Sequence, residues 1–400
     1  MSSYSEYRSE ELPSNWKRVS SDWGHSLHTI CPRIASFPPR LVHYFVSGFS
    51  RPGDRVLDLY SGKGTTVLEA CLLGRKGIGN DIAPDAYLLT LAKSNPPHKD
   101  LFLQYLYNIK NRIRDCSPKE LDNELISIYY SKNTLRQVLQ IKELISQDEA
   151  TSIERNDNTM ISNVTFLKAL MLGIMHGTSS YTISLPMSHA SAMSPSYVKK
   201  KLIQNPSRFR RPDKDLIQCL FQKFSFAFRD PLPRSFLKGE AYNVDATELR
   251  LDAPVNLIIT SPPYYNVHTY AWDNWIRLWF LGYDFREVRR KLLETESEDK
   301  YSNHISKSLS NMYDLLAEDS RCIIVVGNVR NRKSISQIII DSIKEKDLGF
   351  QLNMIIDDDL RPNKKYQYGA PKNHGVSCER ILELHKGEPF TDNRDVKWSY

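Results

Sequence analysis

The sequence predicts an α/β protein: a mainly parallel sheet covered by helices on both faces. Three observations lead there. Short apolar runs alternate with stretches of helical spacing, the pattern of strand-helix-strand units. Glycine-rich turn chemistry follows the first apolar run. The alternation is broken once, by a long stretch that is largely helical in pattern and carries a strong basic bias.

Each element follows in order. Residues 1–24 are polar and are expected to be loosely ordered. Arg55-Val56-Leu57-Asp58-Leu59 reads as a buried strand, Ser61-Gly62-Lys63-Gly64 as a turn, and Thr65 to Leu73 as a helix. Gly77-Ile78-Gly79 leads to a second strand end at Asn80-Asp81. Asp85 to Lys93 is helical again and is stopped by Asn95-Pro96-Pro97. Residues 236–260 hold two more strands, the second built on Val255, Leu257, Ile258 and Ile259. Asp273–Leu281 reads as a helix, and the stripe Trp272, Trp275, Ile276, Trp279, Phe280 reads as core packing. Cys322–Val326, Gln351–Ile356 and Glu379–Leu384 are strands, with helices at Tyr301–Leu316 and Ser334–Glu345 between them.

Spacing argues for an insertion. Asp58 and Ser261 are 203 residues apart. Three β-α units of about 30 residues each leave roughly 110 residues over. The expected organisation is a polar segment 1–24, a first part of the main domain at 25–99, an inserted domain at 100–234 and a second part at 235–400.

Composition sets bounds. With 40% hydrophobic and 25% charged residues the chain is an ordinary globular protein. No run approaches the ~18 apolar residues of a membrane span. The N-terminus has neither a basic start nor an apolar core, so no secretory signal is expected. The six cysteines are scattered without a CxxC pair, which argues against a disulfide framework and a zinc site and suits a reducing cytoplasm. The net charge of +7 is unevenly placed. From Pro195 to Lys238 there are eleven Lys/Arg against three Asp, a local excess of +8. A polyanion partner leaves this footprint, and a solvated helix face is the plainer reading of it.

Two segments carry chemistry. Asp58-Leu59-Tyr60-Ser61-Gly62-Lys63-Gly64-Thr65-Thr66 is a glycine loop between strand and helix. It fails as a Walker loop, because Leu57 stands where the first glycine belongs and Gly64 follows Lys63. It fails as a dinucleotide loop, because Val67 holds the third glycine position. Ser261-Pro262-Pro263-Tyr264 follows a buried strand. Two prolines stiffen it, and a hydroxyl, carbonyls and an aromatic ring are expected to point outward, a set that can hold a planar base bearing an amino group.

With Asp58, the glycines and Asp81 ahead of it, this Ser-Pro-Pro-Tyr motif resembles the amino-methylating DNA methyltransferase family. The resemblance covers about 25–98 and 235–385. It implies a Rossmann-like S-adenosylmethionine-dependent methyltransferase fold, with a mainly parallel seven-stranded sheet and a largely helical insert. It implies S-adenosyl-L-methionine as cofactor, bound by Asp58, Tyr60, Gly62, Gly64, Thr65, Asp81, Asp245 and Phe37. Asp81 would accept the ribose hydroxyls and Asp245 the adenine amino group, with Glu240 a competing register for the latter. The catalytic residues would be Ser261, Pro262, Pro263 and Tyr264, the tyrosine stacking on a base extruded from the duplex. No Pro-Cys dipeptide is present, which excludes the cytosine-carbon mechanism.

The insert is assigned to DNA target recognition, with Tyr197, Lys199, Lys200, Lys201, Arg208, Arg210 and Arg211 as DNA-binding residues. Double-stranded DNA is the expected partner, with a cognate restriction endonuclease as a compatible one in a restriction-modification system. No metal, no membrane and a cytoplasmic site are expected. Serine at the first motif position favours cytosine N4. The order of the motifs is that of the adenine-type subclass, so adenine N6 stays open. An RNA amino-methyltransferase and a non-catalytic nucleic-acid-binding subunit are the remaining alternatives.

Overall fold

The computed structural model describes residues 5–8, 19–20, 23–34, 36–117, 124–187, 192–207, 209–265, 270–295, 297–329, 335–359 and 376–388. Among these the strands are β1 (Ser5–Arg8), β2 (Arg55–Asp58), β3 (Lys76–Asn80), β4 (Glu240–Tyr242), β5 (Val255–Thr260), β6 (Leu316–Val329), β7 (Gln351–Asp359) and β8 (Val376–Lys386). They form one eight-stranded sheet in the order β1-β7-β8-β6-β5-β2-β3-β4. All neighbours are parallel except β8, which runs antiparallel to β6 and β7.

Seven of these strands match the sequence expectation, and β1 is a correction to it. Ser5–Arg8, expected to be loose, pairs in parallel with Met354–Asp357 of β7. The edge of β7 presents unpaired main-chain donors and acceptors, which any extended segment can fill whatever its side chains.

The alternating runs sort onto two faces as a period of two requires. Val56, Leu257, Ile259, Ile323 and Val325 face the helix Pro39–Phe49. Leu57, Ile258, Cys322 and Ile324 face the helices Glu298–Leu315 and Ile335–Glu345. The helices after β2 and β3, Thr65–Leu72 and Pro84–Ser94, press close to the sheet. At Gly77 in β3, an added Cβ would stand 2.4 Å from the Val67 carbonyl oxygen, so only glycine fits.

The insert begins after Pro84–Ser94 and holds the helices Lys99–Arg112, Glu124–Ser127, Lys132–Glu154, Asn158–Ile174, Pro195–Gln204 and Leu216–Ala227. Ser131, Asp157, Ser194 and Asp215 cap the starts of four of them by accepting first-turn amide hydrogens. Its apolar faces share one core with Leu68 and Leu72, with Leu88 and Leu89, and with Trp275, Ile276 and Phe280. The insert is thus a helical layer fused to the sheet's own helices.

The tryptophan-rich helix is also corrected. It is two pieces, Tyr270–Asp273 and Trp275–Leu281, broken at Asn274. Asn274 bonds the Tyr270 carbonyl at 2.9 Å and accepts from the fully buried Arg277 at 2.7 Å, taking hydrogen bonds that a continuous helix would not need. Trp275 and Phe280 are core residues as expected. Among the described residues, no helix is long and apolar enough to cross a membrane, and no group of His, Cys, Asp or Glu is placed to hold a metal ion.

Candidate active-site cleft

The strand order reverses between β2 and β5, and ligands of doubly wound sheets bind beyond the strand ends at such a point. A cleft of about 780 Å³ opens there, its mouth included. Its floor is Leu59, Tyr60 and Gly62 after β2, Asn80 to Ala83 after β3, Asp245 and Ala246 after β4, and Ser261 to Tyr264 after β5. Arg33, Ile34, Tyr270, Lys291 to Leu293 and His304 close the sides. Of the eight cofactor positions that the sequence suggests, Tyr60, Gly62, Asp81 and Asp245 line this space, and Asp58, Gly64, Thr65 and Phe37 do not.

Asp81 is braced from the main chain. Its Oδ2 accepts the Gly62 N–H at 2.9 Å and its Oδ1 accepts the Ala83 N–H at 2.9 Å. Gly62 reaches that pose at φ 53°, a left-handed conformation that glycine adopts at no steric cost. Each carboxylate oxygen keeps a second lone-pair site for a ligand hydroxyl. Burial raises the Asp81 pKa, with the Arg33 guanidinium opposing. Arg33 Nε lies 3.3 Å from Asp85 Oδ2 without hydrogen-bond alignment. The segment bearing Arg33 is fixed from below. His28 Nε2 and His43 Nδ1 meet the two oxygens of the buried Glu69 at 2.7 Å and 3.1 Å, which ties residues 25–33 to the helix after the glycine loop.

Asp58 turns into the sheet rather than the cleft, and is 1% exposed. Its Oδ1 accepts the Thr260 hydroxyl at 2.7 Å and the Tyr60 N–H at 3.1 Å. Burial pushes its pKa up to about 7. Asp58 is absent from the cleft lining and joins the ends of β2 and β5 beneath it. Gly64, Thr65 and Phe37 also stand off the cleft. Gly64 is pressed against Thr90, where an added Cβ would come within 2.9 Å. Phe37 is packed in the core with Leu41, Val42 and Phe45. Thr65 is buried with its hydroxyl unpaired among the described residues.

Asp245 lines the cleft, and Glu240 does not. Glu240 pairs instead with Lys76 at 2.5 Å, on the edge strand β4. Asp245 Oδ1 accepts both the N–H and the hydroxyl of Thr247 at 2.8 and 2.7 Å, which orients the carboxylate. Asn80 stitches the floor together by donating to the Leu59 and Val244 carbonyls.

Ser261-Pro262-Pro263-Tyr264 lines the cleft at the end of β5, and departs from the expectation at Tyr264. The Pro263 carbonyl accepts the Tyr301 hydroxyl at 2.9 Å, while among the described residues no hydrogen bond falls on the Pro262 carbonyl. Tyr264 is only 8% exposed, and its ring packs in the sheet core instead of standing outward. Burial drives its hydroxyl pKa far up, with the Ser261 side chain and the Gly327 main chain opposing. Its own N–H donates to the Tyr270 hydroxyl at 3.2 Å. The expectation that the ring projects is corrected: an apolar ring beside β6 gains more by packing there than by facing water. Tyr60, on the opposite wall, bonds Ser308 at 2.6 Å and His304 at 3.1 Å.

Sequence reading missed Tyr270, His304 and Lys291, which reach the cleft from helices far along the chain. In the insert, Tyr197 is 46% exposed on the helix Pro195–Gln204 beside the exposed Lys199 and Lys200. Lys201 lies over the Tyr197 ring at 5.3 Å. Arg210 is exposed, and Arg211 is spent on the Ser127 carbonyl at 2.9 Å. Arg208 lies outside the described residues.

Comparison with known proteins gives the chain its relatives. Residues 2–94 match the family described as DNA methylase, of the N6/N4 type. The Type II methyltransferase M.BsoBI of Geobacillus stearothermophilus is 24% identical over 346 residues, covering 78% of this chain and 65% of that protein. M.MjaII of Methanocaldococcus jannaschii, also a Type II methyltransferase, is 29% identical over 100 residues, covering 25% and 19%. The chain thus spans just under two thirds of the first relative and about a fifth of the second. Among solved structures, TrmN from Thermus thermophilus matches 90% of this chain and 52% of its own at 11% identity, with a TM-score of 0.36. The rRNA methyltransferase aviRa from Streptomyces viridochromogenes matches 94% and 93% at 9% identity, with a TM-score of 0.33. At those scores the fold assignment rests on the strand order itself, a Rossmann-like sheet reversed at β2 and β5. By the match over residues 2–94 and by both curated relatives, the chain is similar to the amino-methylating DNA methyltransferases.

Proposed function

We propose that this protein transfers a methyl group from S-adenosylmethionine to the exocyclic amino group of a base extruded from duplex DNA, cytosine N4 in preference to adenine N6. One observation carries the reading: Asp81 and Ser261-Pro262-Pro263-Tyr264 line a single cleft, at the ends of β3 and β5 on either side of β2. The family match and the relatives' printed names support the reaction class.

The residues fit the cofactor. Asp81 has lone pairs to spare for ribose hydroxyls. Leu59, Ile82 and Ala246 offer apolar walls to an adenine ring, with Asp245 beside them to accept its amino group. S-adenosylmethionine supplies a methyl on a sulfonium sulfur, which a nitrogen lone pair displaces with loss of one proton to solvent. The chain's own part is to make that lone pair available. A base amine is a poor nucleophile because its lone pair is conjugated into the ring. Ser261 Oγ and the Pro262 carbonyl accept the two amine hydrogens and favour a pyramidal nitrogen. The Pro263 carbonyl already accepts from Tyr301 while no hydrogen bond falls on the Pro262 carbonyl among the described residues, which favours Pro262 as the main-chain acceptor. Tyr264 stacks on the base once its ring is turned from the core. Tyr197, Lys199, Lys200, Lys201 and Arg210 supply contacts to the DNA backbone.

The test is to express the protein in a host without DNA methylation, digest its DNA to nucleosides and identify the modified base by mass spectrometry. N4-methylcytosine is expected. N6-methyladenine would move the reaction to the other base, which the order of the motifs favours. Unmodified DNA, with labelled methyl recovered in RNA, would overturn the DNA reading.

A further inference from the structure

The basic insert is not the cationic surface nearest the cleft. The short helix Phe285–Lys291 carries Arg286, Arg289, Arg290 and Lys291, all exposed, against one acid, Glu287. Its last residue, Lys291, lines the cleft mouth together with Leu292 and Leu293. Arg289 is engaged by Glu294 at 2.9 Å, and Arg286 stands 3.9 Å from Asp284. Arg290 and Lys291 pair with no carboxylate among the described residues.

The helix is held firmly in place. Asp284 caps its start by accepting the Arg286 and Glu287 N–H groups. Glu294 accepts the Ala271 N–H at 3.1 Å while it holds Arg289, which locks the helix to the turn Tyr270–Asp273. The same turn anchors the insert from its other side: the Ala192 N–H donates to the Asp273 carbonyl at 3.0 Å, just ahead of the helix Pro195–Gln204. Two cationic helices therefore flank one turn, and that turn carries Tyr270 in the cleft wall. By contrast, Arg234 and Lys238 lead into β4 at the opposite, N-terminal edge of the sheet, so part of the basic block of the sequence faces away from the site.

Resting on the DNA-methylating reading, we propose that Arg290 and Lys291 form a phosphate-binding lip that grips the DNA backbone next to the extruded base. A fixed helix with two unpaired cations at the rim suits a polyanion whose bases must reach the cleft. The lip fixes the strand's position and reads no sequence, since phosphates carry none.

The test compares the doubly substituted Arg290→Gln, Lys291→Gln protein with wild type and with an Arg234→Gln, Lys238→Gln control. Binding of a labelled mixed-sequence DNA duplex is followed against salt concentration, and S-adenosylhomocysteine binding by calorimetry. Each lost phosphate contact lowers the slope of log affinity on log salt by about 0.9. The lip variant is expected to lose about 1.8 from the slope and at least about tenfold in DNA affinity at low salt, with cofactor affinity and melting temperature unchanged. The control is expected to keep the wild-type slope. An unchanged slope in the lip variant, or an equal loss in the control, overturns the proposal. Wild-type protein that binds no DNA would overturn the underlying reading instead, so the two failures are distinct.

Discussion

The Thr260 hydroxyl donates to the Asp58 carboxylate at 2.7 Å, joining the last residue of β5 to the last residue of β2. The next residue after Thr260 is Ser261, and Asp58 also holds the Tyr60 N–H. One buried contact thus sets both the Ser261–Tyr264 segment and the glycine loop. Thr260→Val keeps the shape and removes the donor. It is expected to cost about 1–3 kcal/mol in urea unfolding, the range for leaving a buried partner unsatisfied. It should weaken S-adenosylhomocysteine binding as well, although neither residue lines the cleft. Wild-type stability in this variant would remove the link.

Asp58 also makes stability depend on pH. Its pKa is raised by burial from 3.8 to about 7, so the folded state holds the proton more tightly than the unfolded chain does. For an acid raised in this way, stability is fullest below about pH 4 and is lost as pH rises towards 7, by up to about 4 kcal/mol. Asp58→Asn keeps a neutral group there and should abolish that loss. Urea titrations of both proteins across this window supply the check. Parallel stability profiles would mean that Asp58 is ionised throughout.

Asp81 makes the complementary case, since it lines the cleft. Asp81→Asn keeps an acceptor for one braced N–H but gives up the charge and an acceptor oxygen. Hydrogen bonds to a charged group are worth about 1.5–3 kcal/mol, so S-adenosylhomocysteine should bind about ten- to hundredfold more weakly by calorimetry. Methylthioadenosine keeps the ribose and should lose as much. A loss confined to S-adenosylhomocysteine would place Asp81 at the amino-acid end of the cofactor.

These contrasts show what could be read in advance. Val255–Thr260, Gly62, Asp81 and Ser261 to Tyr264 were legible because strand, turn and strand end are local, and a parallel sheet brings its strand ends to one edge. The inward turn of Asp58 was not, because it depends on a partner 202 residues away. Tyr270, Lys291 and His304 were silent for the same reason: each lies on a helix whose docking is decided by tertiary packing. The β1 pairing left no mark, since it is made by main-chain groups that every sequence has.

Tyr264 needs two substitutions to separate chemistry from packing. Alanine there removes a ring buried with Ile324 and Val326 and should cost about 3–5 kcal/mol, as large-to-small changes in a core do. Lost methylation in that variant alone would not distinguish a missing stacking partner from a loosened sheet. Phenylalanine keeps the ring and removes only the hydroxyl, whose electrostatic neighbours include the Ser261 side chain and the Gly327 main chain. If the ring stacks on the base while the hydroxyl orients Ser261, Tyr264→Phe should keep its melting temperature and cofactor affinity. Its kcat should fall about tenfold, the effect of about 1.4 kcal/mol lost in the transition state. Retained kcat in the phenylalanine variant would free Ser261 from dependence on Tyr264. Retained kcat in a folded alanine variant would remove Tyr264 from the reaction altogether.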